Sequence, residues 1–172
     1  MKKVLFLIPV FAMSLACHSQ DDGDKSKRPS PPAKAVETTK NGLTIAIDYS
    51  QPAVKGRTIG KDLEPLPGKV WRTGANETTV FQINKDAQIE GKTLPAGKYA
   101  LFTIANGDDW TIIFNKTIKW GAFSYNQSED VLRVNVKSKK SEKFAERFTV
   151  TINKEGKVSL WWGDYDVDFW VK

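Results

Sequence analysis

The sequence is poor in the side chains that carry most protein chemistry. It holds one histidine and one cysteine in 172 residues, and they are neighbours near the start, Cys17 and His18. Without either residue in the body of the chain, zinc, copper and haem ligation lose their usual ligands. Ser–His–Asp and Cys–His nucleophilic catalysis are excluded on the same ground. A glycine-rich phosphate loop is missing too. No cofactor and no metal is expected. Calcium on Asp48, Asp130, Asp164, Asp166 and Asp168 stays open, although the full Asp-x-Asp-x-Asp-Gly loop is absent. The plainer reading of those aspartates is solvated edge charge, which blocks sheet-to-sheet aggregation.

Long apolar runs are also lacking. Val4 to Leu15 is apolar apart from Pro9 and Ser14, but a membrane-spanning helix needs roughly 20 such residues. Lys2 and Lys3 precede this run, and Ser14-Leu15-Ala16-Cys17 follows it. A basic start, a short apolar stretch and small residues at a cut are the marks of an export signal. The sole cysteine standing at the cut turns the expectation to a bacterial lipoprotein, acylated on Cys17. Leu15 lies one place nearer the cysteine than the usual leucine, and an ordinary secreted protein is the alternative. The expected organisation is a signal peptide over 1–16, a lipidated Cys17 with a flexible tether over 17–35, and one folded domain over 36–172. The tether reading rests on Ser, Asp, Lys and Pro with little apolar content. Gln20-Asp21-Asp22 resembles a signal for surface export and equally an ordinary polar linker. The localisation expected is the cell envelope, on the periplasmic or surface face of the outer membrane.

With Cys17 acylated no thiol remains, so an exported fold would rest on its core rather than on disulfides. The formal net charge is +6, and Lys137, Lys139, Lys140 and Lys143 crowd into one segment. Such a run can bind nucleic acid. For an exported chain a solvated loop near anionic lipid or glycan is the better reading, and no nucleic-acid partner is expected.

What is present is a period of two. Ile45, Ile47 and Tyr49 alternate with polar neighbours, as do Leu132, Val134 and Val136, then Phe148, Val150 and Ile152. Turn dipeptides punctuate them: Asn41-Gly42, Asn106-Gly107, Glu155-Gly156. Val54 to Gly68 reads as loop, Asp164-Tyr165 as a turn, and Ser141 to Arg147 as room for one or two helical turns. About nine or ten short strands at this spacing predict a single all-β domain, an antiparallel β-sandwich of Ig-like or jelly-roll-like kind. Leu94-x-x-Gly97-x-Tyr99 matches a corner in which a tyrosine hydroxyl bonds back to nearby backbone.

The densest stretch is Gly68 to Glu77, with Trp71, Arg72, Gly74, Asn76 and Glu77. Arg72 keeps its proton and offers a planar five-donor fork, for which Glu77 is the natural carboxylate. One outcome is a structural ion pair. The other is a pocket with Arg72, Asn76 and Glu77 as polar groups and Trp71 and Trp120 as walls. Six tryptophans are many for a domain of this size. Trp161 and Trp162 are adjacent in a strand and face opposite ways, which turns Trp161 outward toward a sugar, a partner or a covering loop.

At these residues the chain resembles a family of uncharacterised bacterial proteins, domain of unknown function 2911. The matching segments are Asp48-Tyr49-Ser50 with Pro52, Val54-Lys55-Gly56-Arg57, Lys69 to Glu77, Leu94 to Phe102, Trp110 with Ile113-Phe114-Asn115, Trp120 to Phe123 with Tyr125, and Leu132-Arg133-Val134. Gln51 departs from the arginine that members often carry. The resemblance implies a secreted or lipid-anchored all-β domain and no particular activity. The candidate ligand-binding residues are Trp71, Arg72, Asn76, Glu77, Trp120 and Tyr125, with no catalytic residue assigned. The leading expectation is a non-catalytic domain binding a small ligand, a glycan or an envelope protein. The alternatives are a carboxylate-dependent hydrolase using Glu77 with Asp48 or Asp130, and a structural envelope subunit.

Overall fold

A computed structural model describes residues 24–119 and 125–172. Cys17, His18 and Trp120 lie outside the described residues. Ten strands follow in order: β1 (Pro32–Thr38), β2 (Thr44–Ser50), β3 (Val70–Trp71), β4 (Val80–Ile83), β5 (Ala87–Ile89), β6 (Lys92–Leu94), β7 (Gly97–Asn106), β8 (Asp109–Asn115), β9 (Asp130–Ile152) and β10 (Lys157–Trp170). The only helical elements among the described residues are 3₁₀ turns at Lys25–Lys27 and Gln127–Glu129. The protein is all-β and sandwich-like. One antiparallel sheet runs β1-β2-β4-β7-β8-β9-β10, with β3 added beside β7, and a separate β5–β6 hairpin packs on it.

The strands form where the alternation demands. Ile45, Ile47 and Tyr49 of β2 are buried while Asp48 is exposed. In β7, Leu101, Thr103 and Ala105 are buried on one face. Ala100 and Phe102 turn to the other, where they form a smaller cluster with Ile113, Val70, Ile104 and Tyr125. Gly107-Asp108 makes the two-residue turn into β8, with Asn106 opposite Asp109. The corner at Tyr99 forms as its sequence pattern predicts: the hydroxyl donates to the Pro95 carbonyl at 2.8 Å.

The sheet curls until it meets itself. The first half of β9 pairs with β8 from Asp130 to Lys137. Its second half reaches the chain just beyond β2, where the Phe148 N–H donates to the Pro52 carbonyl and the Val54 N–H to the Glu146 carbonyl, each at 2.9 Å. Phe148 seals that seam. It is fully buried, with ring centroids 5.6 Å from Tyr49, 5.1 Å from Trp71 and 6.2 Å from Trp162. Edge-on aromatic packing of this kind adds to plain burial.

Three details depart from the sequence reading. The first strand begins at Pro32, so the end of the expected tether is sheet, pairing residue by residue with β2. Ser141 to Arg147 is bowed strand, not helix, and Asp164-Tyr165 continues β10 instead of turning. The last two strands are therefore long, at 23 and 14 residues. A bulged ladder looks locally like two strands and a turn, because alternation is lost wherever residues are looped out.

Because Phe148 joins the two ends of the curl, Phe148→Ala is expected to cost about 3–5 kcal/mol of stability. Phe144→Ala, four residues away on the same strand and 55% exposed, should cost far less. Denaturant midpoints of the two variants, at similar slope, check this.

Candidate functional site

The central stretch is a strand interrupted. Trp71 pairs with Thr103 and Val80 with Ala100. Along this flank the chain takes nine residues to cover what β7 covers in three. The surplus is looped out as Arg72 to Thr79. The loop turns sharply: Thr73 and Asn76 have φ of 51° and 55°, left-handed backbone that a β-branched residue seldom adopts. Gly74 is required between them, since a Cβ there would lie 2.9 Å from Thr79 Oγ1 and 3.0 Å from the Ser50 carbonyl oxygen. Hydrogen bonds hold the strained form. Thr79 Oγ1 donates to the Thr73 carbonyl at 2.8 Å, and the Trp71 indole N–H donates to the Gly74 carbonyl at 3.0 Å.

The loop borders an open cleft of about 380 Å³, within the range of small-ligand sites. Trp71, Arg72 and Asn76 line it as the sequence suggested, joined by Arg57, Glu64 and Trp162. The indoles of Trp71 and Trp162 stack at 6.3 Å with planes 19° apart, and Trp71 itself is 3% exposed. The tryptophans are thus a packed wall and the arginines the accessible groups. Arg57 is braced by donating Nη2 to the Ala53 carbonyl and Nε to the Val54 carbonyl, at 2.6 and 3.1 Å.

Arg72 and Glu77 do not form the anticipated pair. Arg72 Nη1 donates to the Asn76 carbonyl at 2.8 Å, closing the loop on itself. Asn76 Nδ2 donates to the Ser30 carbonyl at 2.8 Å, tying the loop to the segment before β1. Glu77 points into a neighbouring hollow beside Asp48 and Tyr49. There its carboxylate meets Arg28 at 2.8 Å and Lys25 at 3.6 Å. The Arg28 hydrogen bond is the chief reason that the Glu77 carboxyl is held below the usual glutamate range. Asp48 is likewise engaged, 2.8 Å from Lys34 across the β1–β2 ladder.

Tyr125 belongs to a different face. Its ring packs on Phe102 at 5.0 Å, and its hydroxyl donates to Asp130 Oδ2 at 2.8 Å and accepts from Arg133 Nη2. Arg133 Nε also reaches Asp130, at 2.6 Å, and the fully buried Asn115 donates to Asp130 Oδ1 at 2.7 Å. This network is satisfied internally, and Tyr125 is not among the residues that line the cleft. Desolvation, then the Asp130 carboxylate, push the Tyr125 phenol above its ordinary pKa. Among the described residues no three of His, Cys, Asp and Glu cluster in a way that would hold a metal ion. Asp168 instead accepts from Ser159 Oγ at 2.5 Å and Lys157 Nζ at 3.2 Å.

Comparison with known proteins adds one match. The profile of the family described as "Protein of unknown function (DUF2911)" fits residues 30–171. The chain belongs to the DUF2911 family. No curated protein and no solved structure matches it. The matched region opens at Ser30, whose carbonyl holds Asn76, so in this DUF2911 protein the last two residues before β1 fall within the match.

Sequence reasoning missed Arg57, Glu64 and Trp162 as cleft residues. Arg57 stood in the Val54-Lys55-Gly56-Arg57 segment, where a charged residue in a glycine-bearing loop was available as a signal. Trp162 was legible as buried, but its packing on Trp71 spans a sequence gap that periodicity does not bridge.

The ion pairing makes a prediction. Arg28→Ala should raise the Glu77 pKa toward its ordinary value, and Arg72→Ala should leave it unmoved; titration of the Glu77 carboxyl by NMR reads both. By linkage a lowered carboxyl pKa stabilises the fold above the unfolded-state pKa. That contribution is lost as pH falls through the folded value, so Arg28→Ala should blunt the acid sensitivity of unfolding.

Proposed function

We propose that this DUF2911 protein is a cell-envelope lipoprotein that binds a small ligand or the end of a glycan in the Trp71–Arg72 cleft, without transforming it. The single observation that supports this most is the strained loop at the cleft. Thr73, a β-branched residue in left-handed backbone at about 1–3 kcal/mol, persists there only where the surroundings over-determine it, and such strain gathers at ligand sites. Here it brings the Arg72 guanidinium and the Asn76 amide to a concave, indole-walled space that Arg57 of the preceding loop also lines. A pre-ordered fork of this kind suits carboxylate, phosphate or vicinal hydroxyls.

Hydrolysis has less support. A general acid needs a carboxyl poised above its ordinary range inside the cleft, whereas Glu77 is held below that range and lies in the adjacent hollow. A purely structural role has less support as well. The large exposed apolar side chains among the described residues are Val36, Ile118, Phe144 and Trp170. They stand on separate elements, not in the broad patch that a permanent interface needs.

Retention on immobilised peptidoglycan and envelope glycans tests the site, comparing wild type with Arg72→Ala and with Ala75→Glu, which places a carboxylate in the cleft. Loss of roughly tenfold or more in affinity is expected for each; equal retention of all three rejects the cleft. The anchor is tested separately. Wild type should take up labelled palmitate and sediment with membranes, because stable anchoring needs more than one acyl chain. Cys17→Ser should do neither, and a labelled Cys17→Ser would reject lipidation there.

A further inference from the structure

A second interrupted ladder involves β9 and β10. Between Trp161 and Tyr165 β10 advances four residues, while its partner β9 advances nine, from Lys140 to Thr149. The surplus bows β9 away from the sheet. Gly163 sits at the pivot with φ of 57°, and a Cβ on it would come within 2.5 Å of Ile59 Cδ1. That left-handed backbone favours glycine at the pivot. Bulges of this kind re-aim side chains and concentrate beside functional sites.

Beneath the bow is an open groove of about 820 Å³. It shares no lining residue with the Trp71 cleft. Its sheet floor carries Thr149, Thr151 and Trp161. Trp161 stands on the outer face because its neighbour Trp162 is 1% exposed and takes the inner one. The Trp161 indole N–H donates to Thr151 Oγ1 at 3.1 Å. That bond satisfies the ring's one polar atom and fixes its orientation, leaving an apolar platform on an otherwise hydroxyl-bearing sheet.

The overhanging wall is cationic. Lys140 and Lys143 are exposed and make no ion pair among the described residues. Lys139 approaches Asp168 only at 3.9 Å. Of the acidic lining groups, Glu146 spends Oε1 on the Lys55 backbone N–H at 2.8 Å. Asp166 keeps Oδ1 buried with no partner. The lining as a whole carries Lys139, Lys140, Lys143 and Arg147 against Glu142, Glu146 and Asp166, so cations outnumber carboxylates by one.

We propose that this groove binds an acidic glycan: a uronate or sulfated sugar stacks on Trp161, its anionic group meets Lys140 and Lys143, and its hydroxyls meet the threonines. A fixed indole presents a flat face to the C–H side of a pyranose. Unpaired ammonium groups on the overhang stand where a ring substituent would project. A single-stranded nucleic acid would call for several stacking rings along a track, and this groove offers one indole. A lipid surface would instead engage Phe144, the exposed apolar residue of the overhang, and leave Trp161 unused, an outcome that the vesicle assay separates. The inference stands apart from the cleft reading, since the two sites share no residue.

Affinity electrophoresis of the full-length protein in gels containing polygalacturonate, dextran or nothing tests it, with phosphatidylglycerol vesicles assayed by flotation. Retardation by polygalacturonate and not by dextran is expected. It should weaken as salt rises, because screening shortens to about 8 Å at physiological ionic strength. Trp161→Ala and Lys140→Glu/Lys143→Glu should each weaken binding by about tenfold or more, and Arg72→Ala should not. The lysine variant alters exposed side chains only, so it guards against loss of fold in Trp161→Ala. No retardation of wild type, equal retardation by dextran, unchanged retardation of both groove variants, or binding to the vesicles alone would each overturn the proposal.

Discussion

Everything in this fold depends on the seam at Phe148. There the far half of β9 bonds to the chain beyond β2, and one ring is held among Tyr49, Trp71 and Trp162. An antiparallel sheet of this width would otherwise twist open and leave one face of its core wet. Closing it lets a single apolar cluster, from Leu43 to Val171, fill the curl. No disulfide is available to take over that task, because Cys17 is the sole cysteine.

The seam also explains why the two candidate sites exist. Once both ends of the curl are tied, a strand carrying more residues than its partner cannot slide to relieve the mismatch, since a one-residue slip would turn its buried side chains outward. The surplus is expelled sideways. It leaves once between Trp71 and Val80, and once between Lys140 and Thr149. The first bends its own backbone into left-handed conformation at Thr73 and Asn76, the second is faced by left-handed Gly163 on the partner strand, and each borders a concavity. A rigid core with loops extruded from it is a general way to carry function on a β scaffold.

The acidic side chains were divided by the same geometry. Glu77 and Asp48 are drawn to Arg28 and Lys34, cations from the segment before β1 and from β1 itself. Asp130 is enclosed by Asn115, Tyr125 and Arg133. Asp166 is pushed above its ordinary pKa, first by desolvation and then by the neighbouring Asp168. Residues that looked interchangeable as carboxylates therefore have distinct surroundings, and in the cleft at Arg72 the carboxylate is Glu64, beside Arg57 and Arg72.

Much was legible from order and period alone. Alternating Ile45-Ile47-Tyr49 dictated a half-buried strand, Asn106-Gly107 a tight hairpin, Leu94-x-x-Gly97-x-Tyr99 a corner, and Trp161-Trp162 one indole on each face, because each is a local consequence of pleat geometry and turn chemistry. Trp71, Arg72 and Asn76, close in sequence, also line one cleft. Which carboxylate meets which cation was decided only by tertiary structure. Arg28 and Glu77 are brought together by β1 lying beside β2, and pairing across such a gap leaves no trace in periodicity. The continuity of β9 and β10 through their bulges was decided there too: local sequence states where alternation breaks, while only the partner strand determines whether the chain turns away or bows and returns.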